Sequence, residues 1–335
     1  MSDDLVLITG ATGFIGSKIT IDALEAGYKV RLTVRREEQI ALLKEEFSRY
    51  TDQLQFTVVT DFTKADAFSH ALHDVTYILH VASLVFKQGS IEFDKDYIQP
   101  AVKGTTSILG AAKLVPSIKK VLVMSSIVAL MNLGVLDGTG QQTTPVKESN
   151  IISPVTELDK VDLNGHYGME TQYQASKILA HQATREWIQA NKPSFTTITF
   201  HPSFVTGPSV LQKKRSEVAP MNETFYKTIV SGTLAIPTYF ADVRDVSKAF
   251  IKAIKADVPN GQEIIIMGPE VGWDVIAHAA KALYPEGTVG LKPTGSEPTG
   301  LLVDRNGYEN ILGLKWTSTE DLIRGVVDQQ RSLEE

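Results

Sequence analysis

The fold is decided close to the N-terminus, where residues 5–16 read LVLITGATGFIG. The apolar, β-branched run Leu5–Thr9 predicts a strand, and apolar residues at helical spacing over Phe14–Ala26 predict the helix that follows. Glycines between a strand and a helix allow a tight turn, the approach of a pyrophosphate to bare backbone, and close helix packing. We therefore expect a bound dinucleotide with its phosphates at the helix start, a plain tight turn being the alternative. The expected contacts are Gly10, Thr12, Gly13, Phe14, Ile15 and Gly16.

Further along the chain, short β-branched runs alternate with helical patterns, which is the order of βαβ units in a parallel sheet. The other predicted strands are Val30–Val34, Gln55–Val59, Tyr77–Val81, Lys120–Ser125 and Thr196–Phe200. The other predicted helices are Glu37–Tyr50, Phe93–Lys113 and Glu170–Asn191. Pro100 indicates a kink or a later start in the second of these helices. The predicted fold class is α/β, a Rossmann-type doubly wound parallel sheet.

The alternation weakens after His201, which indicates a second, smaller unit. The patterns of Asp245–Ala256 and Glu263–Met267 then return to the main sheet. The expected division is 1–202 plus 241–268 for the NADP-binding Rossmann domain, and 203–240 plus 269–335 for a smaller substrate-binding lobe.

Composition excludes several other classes of protein. The 335 residues are 43% hydrophobic and 21% charged, as in ordinary globular proteins. A formal net charge of -6 provides no basic surface for a phosphate backbone, so we expect no nucleic-acid partner. The absence of cysteine excludes disulfides, thiol catalysis and zinc–thiolate sites. The acidic N-terminus is unlike a signal peptide and no apolar stretch is long enough to span a bilayer, so we expect a cytoplasmic enzyme with no membrane contact.

The end of the second predicted strand indicates which dinucleotide is bound. A carboxylate there would accept hydrogen bonds from a ribose 2′-hydroxyl, whereas an arginine would pair with the 2′-phosphate of NADP. The strand ends in Val34-Arg35-Arg36, and Glu37 already belongs to the next helix. We therefore favour NADP(H), with Arg35 and Arg36 at the phosphate. The alternative is a pair of solvated arginines at a helix start.

A tyrosine and a lysine lie four residues apart in the stretch YQASK, residues 173–177. On the predicted helix, Tyr173 and Lys177 share one face and are within mutual reach. Free phenols have a pKa near 10, so acid–base work near neutrality needs a cation close to the phenol. The spacing alone is weak evidence, and its weight comes from its position on the helix just before a strand.

Two serines close the strand in the stretch VLVMSS, residues 121–126. Ligands of open parallel sheets bind beyond the carboxyl ends of the strands, so Ser125 and Ser126 are expected to face the crevice. A serine there can hydrogen-bond a substrate oxygen and orient it. Alternatively, these hydroxyls satisfy local backbone groups.

Together these pieces resemble an extended short-chain dehydrogenase/reductase. Within that superfamily they resemble the group of dihydroflavonol reductase, cinnamoyl-CoA reductase and yeast methylglyoxal (aldehyde) reductase. The matching motifs, in the family's order, are TGATGFIG at 9–16, VRLTVRR at 30–36, Asp61 after the third strand, LHVAS at 79–83, VMSS at 123–126, YQASK at 173–177, HPSFVTGP at 201–208 and DVRDV at 242–246.

The resemblance implies a role for each matched residue. Ser126 would polarise a carbonyl, Tyr173 would be the general acid in its reduction, and Lys177 would hold the nicotinamide ribose and support Tyr173. The implied cofactor contacts are Asp61 and Phe62 at the adenine, Ala82 and Ser83 along the ribose, and Pro202 to Val205 beside the nicotinamide, with Pro202 and Val205 the residues that we expect to touch it.

Apolar residues at the strand ends and in irregular loops are expected to form a wall for the substrate. The long loop Asn132–Gly168 is part of this expectation, because loops of that length in a compact domain are usually functional. Its length departs from the family, and so does the lead-in METQ at 169–172, which leaves the substrate open. The predicted pocket residues are Leu84, Val85, Phe86, Met131, Tyr167, Phe204 and Tyr239.

The histidines and carboxylates show no spacing typical of a metal site, so we expect no metal. His80 is predicted to belong to the core. His201 is expected either to contact a ligand or to be a hydrogen-bonded structural histidine. His181 is expected either near the site or on a solvated helix face.

The sequence thus predicts NADPH-dependent, reversible reduction of a ketone or aldehyde by hydride transfer. The small-molecule carbonyl substrate is the expected partner, and the sequence leaves open whether the protein is a monomer or a homodimer. One alternative is a nucleotide-sugar epimerase or dehydratase that retains its NAD(P). Another is an NADP-binding regulator without catalytic activity.

Overall fold

Seven parallel strands form the central sheet of the computed structural model, which describes residues 4–83, 94–136, 140–148, 168–234, 237–287, 289–295 and 301–333. The strands in chain order are β1 (Leu5–Thr9), β2 (Lys29–Val34), β3 (Leu54–Val58), β4 (Val75–His80), β5 (Lys120–Met124), β6 (Val146–Lys147), β7 (Thr196–Pro202), β8 (Phe204–Thr206), β9 (Phe240–Asp242), β10 (Gln262–Ile266) and β11 (Val303–Asp304). The central sheet has the order β10-β7-β5-β4-β1-β2-β3. This order confirms the doubly wound α/β fold that the sequence predicts.

The α-helices of the described residues are α1 (Phe14–Glu25), α2 (Glu38–Glu46), α3 (Gln99–Lys113), α4 (Gly168–Asn191), α5 (Pro220–Ser231), α6 (Val243–Ala253), α7 (Trp273–Leu283) and α8 (Thr319–Ser332). The predicted helix 37–50 is shorter than expected, because a 3-10 turn over Ser48–Gln53 follows α2. Pro100 lies in the first turn of α3, and a π-helix over Asp94–Ile98 leads directly into that helix. The kink or later start that Pro100 indicated is therefore found as a change from π-helix to α-helix at Gln99.

The sheet is buried on both faces, as the alternation of side chains along β1 shows. Val6 and Ile8 join an apolar cluster that includes residues of α1 and α6. Leu5 and Leu7 point the other way and join a cluster that includes residues of α3. Because the strands are all parallel and covered on both faces, their carboxyl ends and the loops that follow meet at one accessible edge.

A separate apolar cluster lies outside the central sheet. Its fully buried members include Phe225 of α5, Ile276 of α7 and Ile323 of α8. They come from the segments that the sequence assigns to a smaller lobe, but Tyr308, in the same segments, packs with the cluster of the main sheet. The two-lobe division stays a proposal, and its second lobe shares part of the main core.

The DVRDV motif joins helix α6 to the C-terminal part of the chain. Asp242 accepts a hydrogen bond from the backbone N–H of Arg244, which caps α6, and also binds the Arg244 guanidinium at 2.6 Å. Asp245 accepts hydrogen bonds from the backbone N–H and the hydroxyl of Thr317. In the helices that the structure describes, none combines the length and apolar character needed to cross a membrane.

Candidate active site

The turn between β1 and α1 has room for glycine alone at two of its positions. Gly10 has a φ of +78°, and a Cβ placed on it would lie 2.8 Å from the backbone nitrogen of Ala82. A Cβ on Gly16 would overlap the carbonyl oxygen of Gly10. Helix α1 therefore packs directly against the turn, and the turn packs directly against the residues that follow β4.

Thr9 fixes this contact between the ends of β1 and β4. Its hydroxyl oxygen accepts hydrogen bonds from the backbone N–H groups of Val81 and Ala82 at 3.1 and 3.0 Å. The Thr9 hydroxyl can then donate its own hydrogen to Nδ1 of His80, 3.0 Å away. His80 is 2% exposed, so the prediction that it belongs to the core is confirmed.

Helix α1 begins at the turn without a side-chain cap. Gly13 is its N-cap residue, and the N–H of Gly13 binds the carbonyl oxygen of Gly10 at 3.0 Å. The N–H groups in the first turn of a helix have no intrahelical partners, and here no side chain caps them. Backbone donors and the positive end of the helix dipole therefore face the space above the turn, beside Thr12, Phe14 and Ile15.

Arg35 and Phe62 come together beyond the ends of β2 and β3. The Arg35 guanidinium carbon lies 5.4 Å from the centroid of the Phe62 ring. The backbone N–H groups of Arg35 and Arg36 both donate to Oε1 of Gln39, which fixes the turn, and both side chains are exposed. Asp61 is exposed, and hydrogen bonds from the hydroxyl and N–H of Thr63 lower the pKa of its carboxyl group. An arginine over an aromatic ring thus lines the side of the site that the sequence assigned to the adenosine.

Lys177 connects the predicted catalytic helix to the end of β4. Its Nζ donates a hydrogen bond of 2.9 Å to Oγ of Ser83 and lies 5.6 Å from the centroid of the Tyr173 ring. Lys177 is 8% exposed, so its charge acts in a weakly solvated environment. It also lines an open cleft together with Phe62, Ala82, Ser83 and Ser125. Four of the predicted cofactor residues therefore meet in one cleft.

Ser126 begins the short 3-10 turn Ile127–Leu130, immediately after β5. Its hydroxyl oxygen is 3.4 Å from the backbone nitrogen of Val128, so the contact is long. Its carbonyl oxygen accepts hydrogen bonds from the N–H of Ala129 at 3.0 Å and from Nδ1 of His201 at 3.1 Å. The backbone of Ser126 is thus held more firmly than its hydroxyl.

Gln174 ties the loop that follows Ser126 to helix α4. Its Oε1 accepts a hydrogen bond from the N–H of Gly134, and its Nε2 donates to the carbonyl oxygen of Asn132 at 2.8 Å. Ile127, Val128 and neighbouring apolar residues pack together with Tyr173. Gln174 is fully buried. Gln174 was assigned no role from the sequence, although its place beside Tyr173 in YQASK was the available signal.

Behind Ser126, three buried polar side chains, His181 of α4, His201 of β7 and Glu263 of β10, form a group with the partly exposed Arg185 of α4. We call it the rear network. Nε and Nη2 of Arg185 each donate to one oxygen of Glu263 at 2.6 Å, and Nε2 of His181 lies 3.1 Å from the same carboxylate. Burial raises the pKa of Glu263, but the hydrogen bonds from His181 and Arg185 outweigh it and lower the pKa to about 2.

The rear network was missed at the level of sequence. His181 is 4% exposed, so the alternative of a solvated helix face is wrong, because the ring packs edge-on against His201 at 4.5 Å. A glutamate before Ile264-Ile265-Ile266 in a buried strand was the available signal. In the part of the chain that the structure describes, His181, His201 and Glu263 also place one nitrogen or oxygen atom each within 4.8 Å of the other two. Three such atoms are close enough to bind one metal ion. The absence of a metal stays a prediction.

The structure brings together only some of the residues predicted to line the substrate pocket. Met131 and Tyr239 belong to the apolar cluster that contains Tyr173, whereas Phe204 packs with Phe225 and Trp273 in the separate cluster. The hydroxyl of Tyr239 accepts a hydrogen bond from the N–H of Leu301. Pro202 is buried at the end of β7, and Val205 is half-buried beside the main core. Leu84, Val85, Phe86 and Tyr167 lie outside the described residues.

The sheet order, the glycine turn and the helix with Tyr173 and Lys177 together define an extended short-chain dehydrogenase/reductase. The model of the NAD dependent epimerase/dehydratase family matches residues 6–268. The chain belongs to this family, and the resemblance to its reductases is confirmed.

Three relatives are similar along most or all of the chain. Ketoreductase sphI of Aspergillus fumigatus is 34% identical over 340 residues, which are 98% of each protein. GRP2 of Candida albicans, named as a candidate NADPH-dependent methylglyoxal reductase, is 32% identical over 85% of this chain and 84% of its own. The structure of yeast methylglyoxal/isovaleraldehyde reductase Gre2 complexed with NADPH has a TM-score of 0.81 at 24% identity and covers 98% of both chains, which shows a shared fold.

The glycine turn generates a first prediction. We expect Gly16→Ala to lower the free energy of unfolding by about 1–3 kcal/mol, because the added Cβ forces α1 away from Gly10. Gly110→Ala is the matched control: Gly110 lies in α3 with open space around its Cβ position, and alanine there should stabilise by up to about 1 kcal/mol. Urea unfolding measures both variants. Equal stability of the two would show that α1 does not pack as closely as described.

A second prediction concerns pH. Burial, then the Lys177 charge, lowers the pKa of His80 to about 4, and burial, then His181, lowers the pKa of His201 to about 3, both from 6.5. Below pH 6.5 the unfolded chain therefore binds protons that the folded protein does not, and stability falls as the pH falls. Each histidine contributes up to about 1.4 kcal/mol per pH unit.

Thermal unfolding between pH 7 and pH 4 measures this slope. His201→Asn should reduce it, since asparagine does not titrate. A variant with the slope of the wild type would show that the pKa of His201 is not lowered in the folded protein.

Proposed function

We propose that this protein reduces a ketone or aldehyde with NADPH, using Ser126, Tyr173 and Lys177. The observation that carries the proposal is the position of Lys177, which binds Ser83 at the end of β4 and lies beside the ring of Tyr173. One cation thus touches a residue expected at the nicotinamide ribose and the residue expected to move the proton. The reductase relatives, which match 98% and 85% of the chain, support the same reaction.

The residues of the chain fit a dinucleotide. Glycine at positions 10 and 16 lets α1 and the residues after β4 pack directly on the turn, as a dinucleotide-binding turn requires. The uncapped start of α1 supplies N–H donors and a favourable dipole. Arg35 and Arg36 are exposed beyond β2, where a guanidinium can bind a 2′-phosphate through paired hydrogen bonds. Phe62, held beneath Arg35, offers an aromatic face for the adenine.

The proposed mechanism assigns one task to each catalytic residue. NADPH, when held by the glycine turn and Arg35, would supply the hydride for the carbonyl carbon. The Tyr173 hydroxyl donates its proton to the carbonyl oxygen, so that an alcohol forms and a phenolate stays on the protein. The Lys177 ammonium stabilises this phenolate through the electrostatic field of a weakly solvated charge. The Ser126 hydroxyl donates a hydrogen bond to the same oxygen and fixes its position as negative charge develops.

We propose a small molecule with apolar groups beside its carbonyl as the substrate. Val128 and Met131 are buried and pack with Tyr173 and Tyr239, so the side chains around the proposed proton donor are mainly apolar. Burial of apolar substrate area there would contribute to binding at about 25 cal/mol per Å². A nucleotide-sugar epimerase would instead need polar groups for a second nucleotide.

The reaction itself distinguishes these functions. A reductase consumes one NADPH for each alcohol formed, whereas an epimerase or dehydratase regenerates its cofactor within each turnover. A regulator would bind NADPH without consuming it in the presence of any carbonyl compound. The experiment is to incubate the purified protein with NADPH and a panel of aromatic ketones, aliphatic ketones, diketones and aldehydes, and to follow absorbance at the nicotinamide band together with product.

Tyr173→Phe tests the proton donor. We expect kcat to fall by at least about 100-fold, because general acid catalysis contributes that much and phenylalanine keeps the packing. NADPH affinity, measured by fluorescence, and thermal stability should be unchanged. Tyr226→Phe is the matched control, since Tyr226 lies on α5 in the separate apolar cluster. A Tyr173→Phe enzyme with wild-type kcat would exclude the mechanism.

Arg35→Ala tests the choice of cofactor. We expect the KM for NADPH to rise by at least about tenfold, since a hydrogen bond to a charged group contributes about 1.5–3 kcal/mol. The KM for NADH should stay the same, because NADH has no 2′-phosphate. Arg49→Ala, which also removes an exposed arginine, is the control. Equal effects of Arg35→Ala on both cofactors would contradict the role of the 2′-phosphate.

A further inference from the structure

The backbone of the proposed catalytic serine is bound from behind by a histidine. His201 is completely buried, and its Nδ1 lies 3.1 Å from the carbonyl oxygen of Ser126. A carbonyl oxygen can only accept, so Nδ1 must carry the hydrogen. Together with the N–H of Ala129, His201 gives this carbonyl two donors. The segment that carries the Ser126 hydroxyl is thus fixed to strand β7.

The rear network extends this contact to the other catalytic element. Glu263 lies on β10 two residues before Ile265, the pairing partner of His201, so both side chains are on one face of the sheet. The two hydrogen bonds from Arg185 connect Glu263 to helix α4. Tyr173, Lys177, His181 and Arg185 follow one another at intervals of four residues along α4 and so occupy one helix face.

The charges of the rear network are balanced without a further ion. The Arg185 guanidinium binds both oxygens of Glu263 and compensates the carboxylate. With Nδ1 protonated and the ring neutral, Nε2 of His201 carries a lone pair and lies 3.9 Å from Glu263. The His181 ring fills the space on the other side of His201, edge-on at 4.5 Å. The His201 ring therefore has one orientation in which its Nδ1–H donates to the carbonyl oxygen of Ser126.

We propose that His201, held by its bond to the Ser126 carbonyl and by packing against His181, is a positioning residue that sets the distance between the hydroxyls of Ser126 and Tyr173. The inference rests on the proposed reductase function. The physical reason is that hydride transfer and proton transfer need both hydroxyls on one substrate oxygen, and a misplacement of about 1 Å can cost about 100-fold in rate. Glu263 and Arg185 tie this distance to the same helix that carries Tyr173.

The test compares two substitutions of one residue. In His201→Asn, the side-chain NH₂ can occupy the place of Nδ1 and donate to Ser126, whereas His201→Leu keeps the volume and removes the donor. We expect His201→Leu to lower kcat by at least about tenfold, and His201→Asn to recover most of that loss. KM for the cofactor and NADPH affinity should stay within about twofold in both, because the glycine turn is not touched.

A control separates positioning from stability. Ile198→Ala removes fully buried side-chain volume from the same strand, in the main apolar cluster, and should lower the melting temperature without lowering kcat. Loss of kcat in Ile198→Ala equal to that in His201→Leu would overturn the proposal, because any weakening of β7 would then suffice. Equal kcat in His201→Leu and the wild type would overturn it as well.

Hydrogen exchange provides a readout that needs no turnover. His201→Leu should speed exchange of the Ala129 amide, whose acceptor is the Ser126 carbonyl, and His201→Asn should restore its protection.

Unchanged exchange in His201→Leu would reject the positioning role even if no carbonyl substrate were found. Failure of the wild type to oxidise NADPH with any carbonyl would reject the proposed function instead. Stoichiometric metal in the purified protein, with loss of kcat on chelation, would make His201 a ligand and overturn the proposal.

Discussion

The whole site depends on the close contact between the turn after β1 and the residues after β4. Thr9 holds the backbone of Val81 and Ala82, and Gly10 passes near enough to Ala82 to exclude a Cβ. This contact sets the position of α1, whose start faces the cofactor side. It also sets Ser83, the next residue, which receives Lys177. The proposed phosphate-binding turn and the proposed catalytic lysine thus meet at one junction of two parallel strands.

Helix α4 distributes these constraints over the rest of the site. One face of α4 carries the proposed proton donor Tyr173 and, next to it, Lys177, which binds Ser83 after β4. Further along the same face, Arg185 binds the buried carboxylate of β10. Gln174, on a neighbouring face, holds the loop after Ser126. Because a helix rises by a fixed distance of about 1.5 Å per residue, the distances between these side chains along α4 are set by the helix itself.

Much of the fold was predictable because local patterns and tertiary packing agree along the first half of the chain. β1 is found where the apolar run predicts it, and Pro100 marks the start of α3 because proline fits the first helical turn. The site was predictable where one residue type has one physical use, as with glycine at positions 10 and 16. His181 misled for the opposite reason. A histidine suits a solvated helix face or a buried pair equally well, and the choice depended on Glu263, 82 positions further along the chain.

By itself, the sequence determined the order of strands and helices, the glycine turn, and the presence of the serine, tyrosine and lysine, since these follow from periodicity and from residue chemistry. Only the tertiary structure decided that Lys177 binds Ser83, that Gln174 holds the loop after Ser126, and that His201 faces the Ser126 carbonyl. These contacts join residues far apart in the chain. No local pattern records them, because they arise from the pairing of β5 with β7 and of β7 with β10, and from the packing of α4 across their ends.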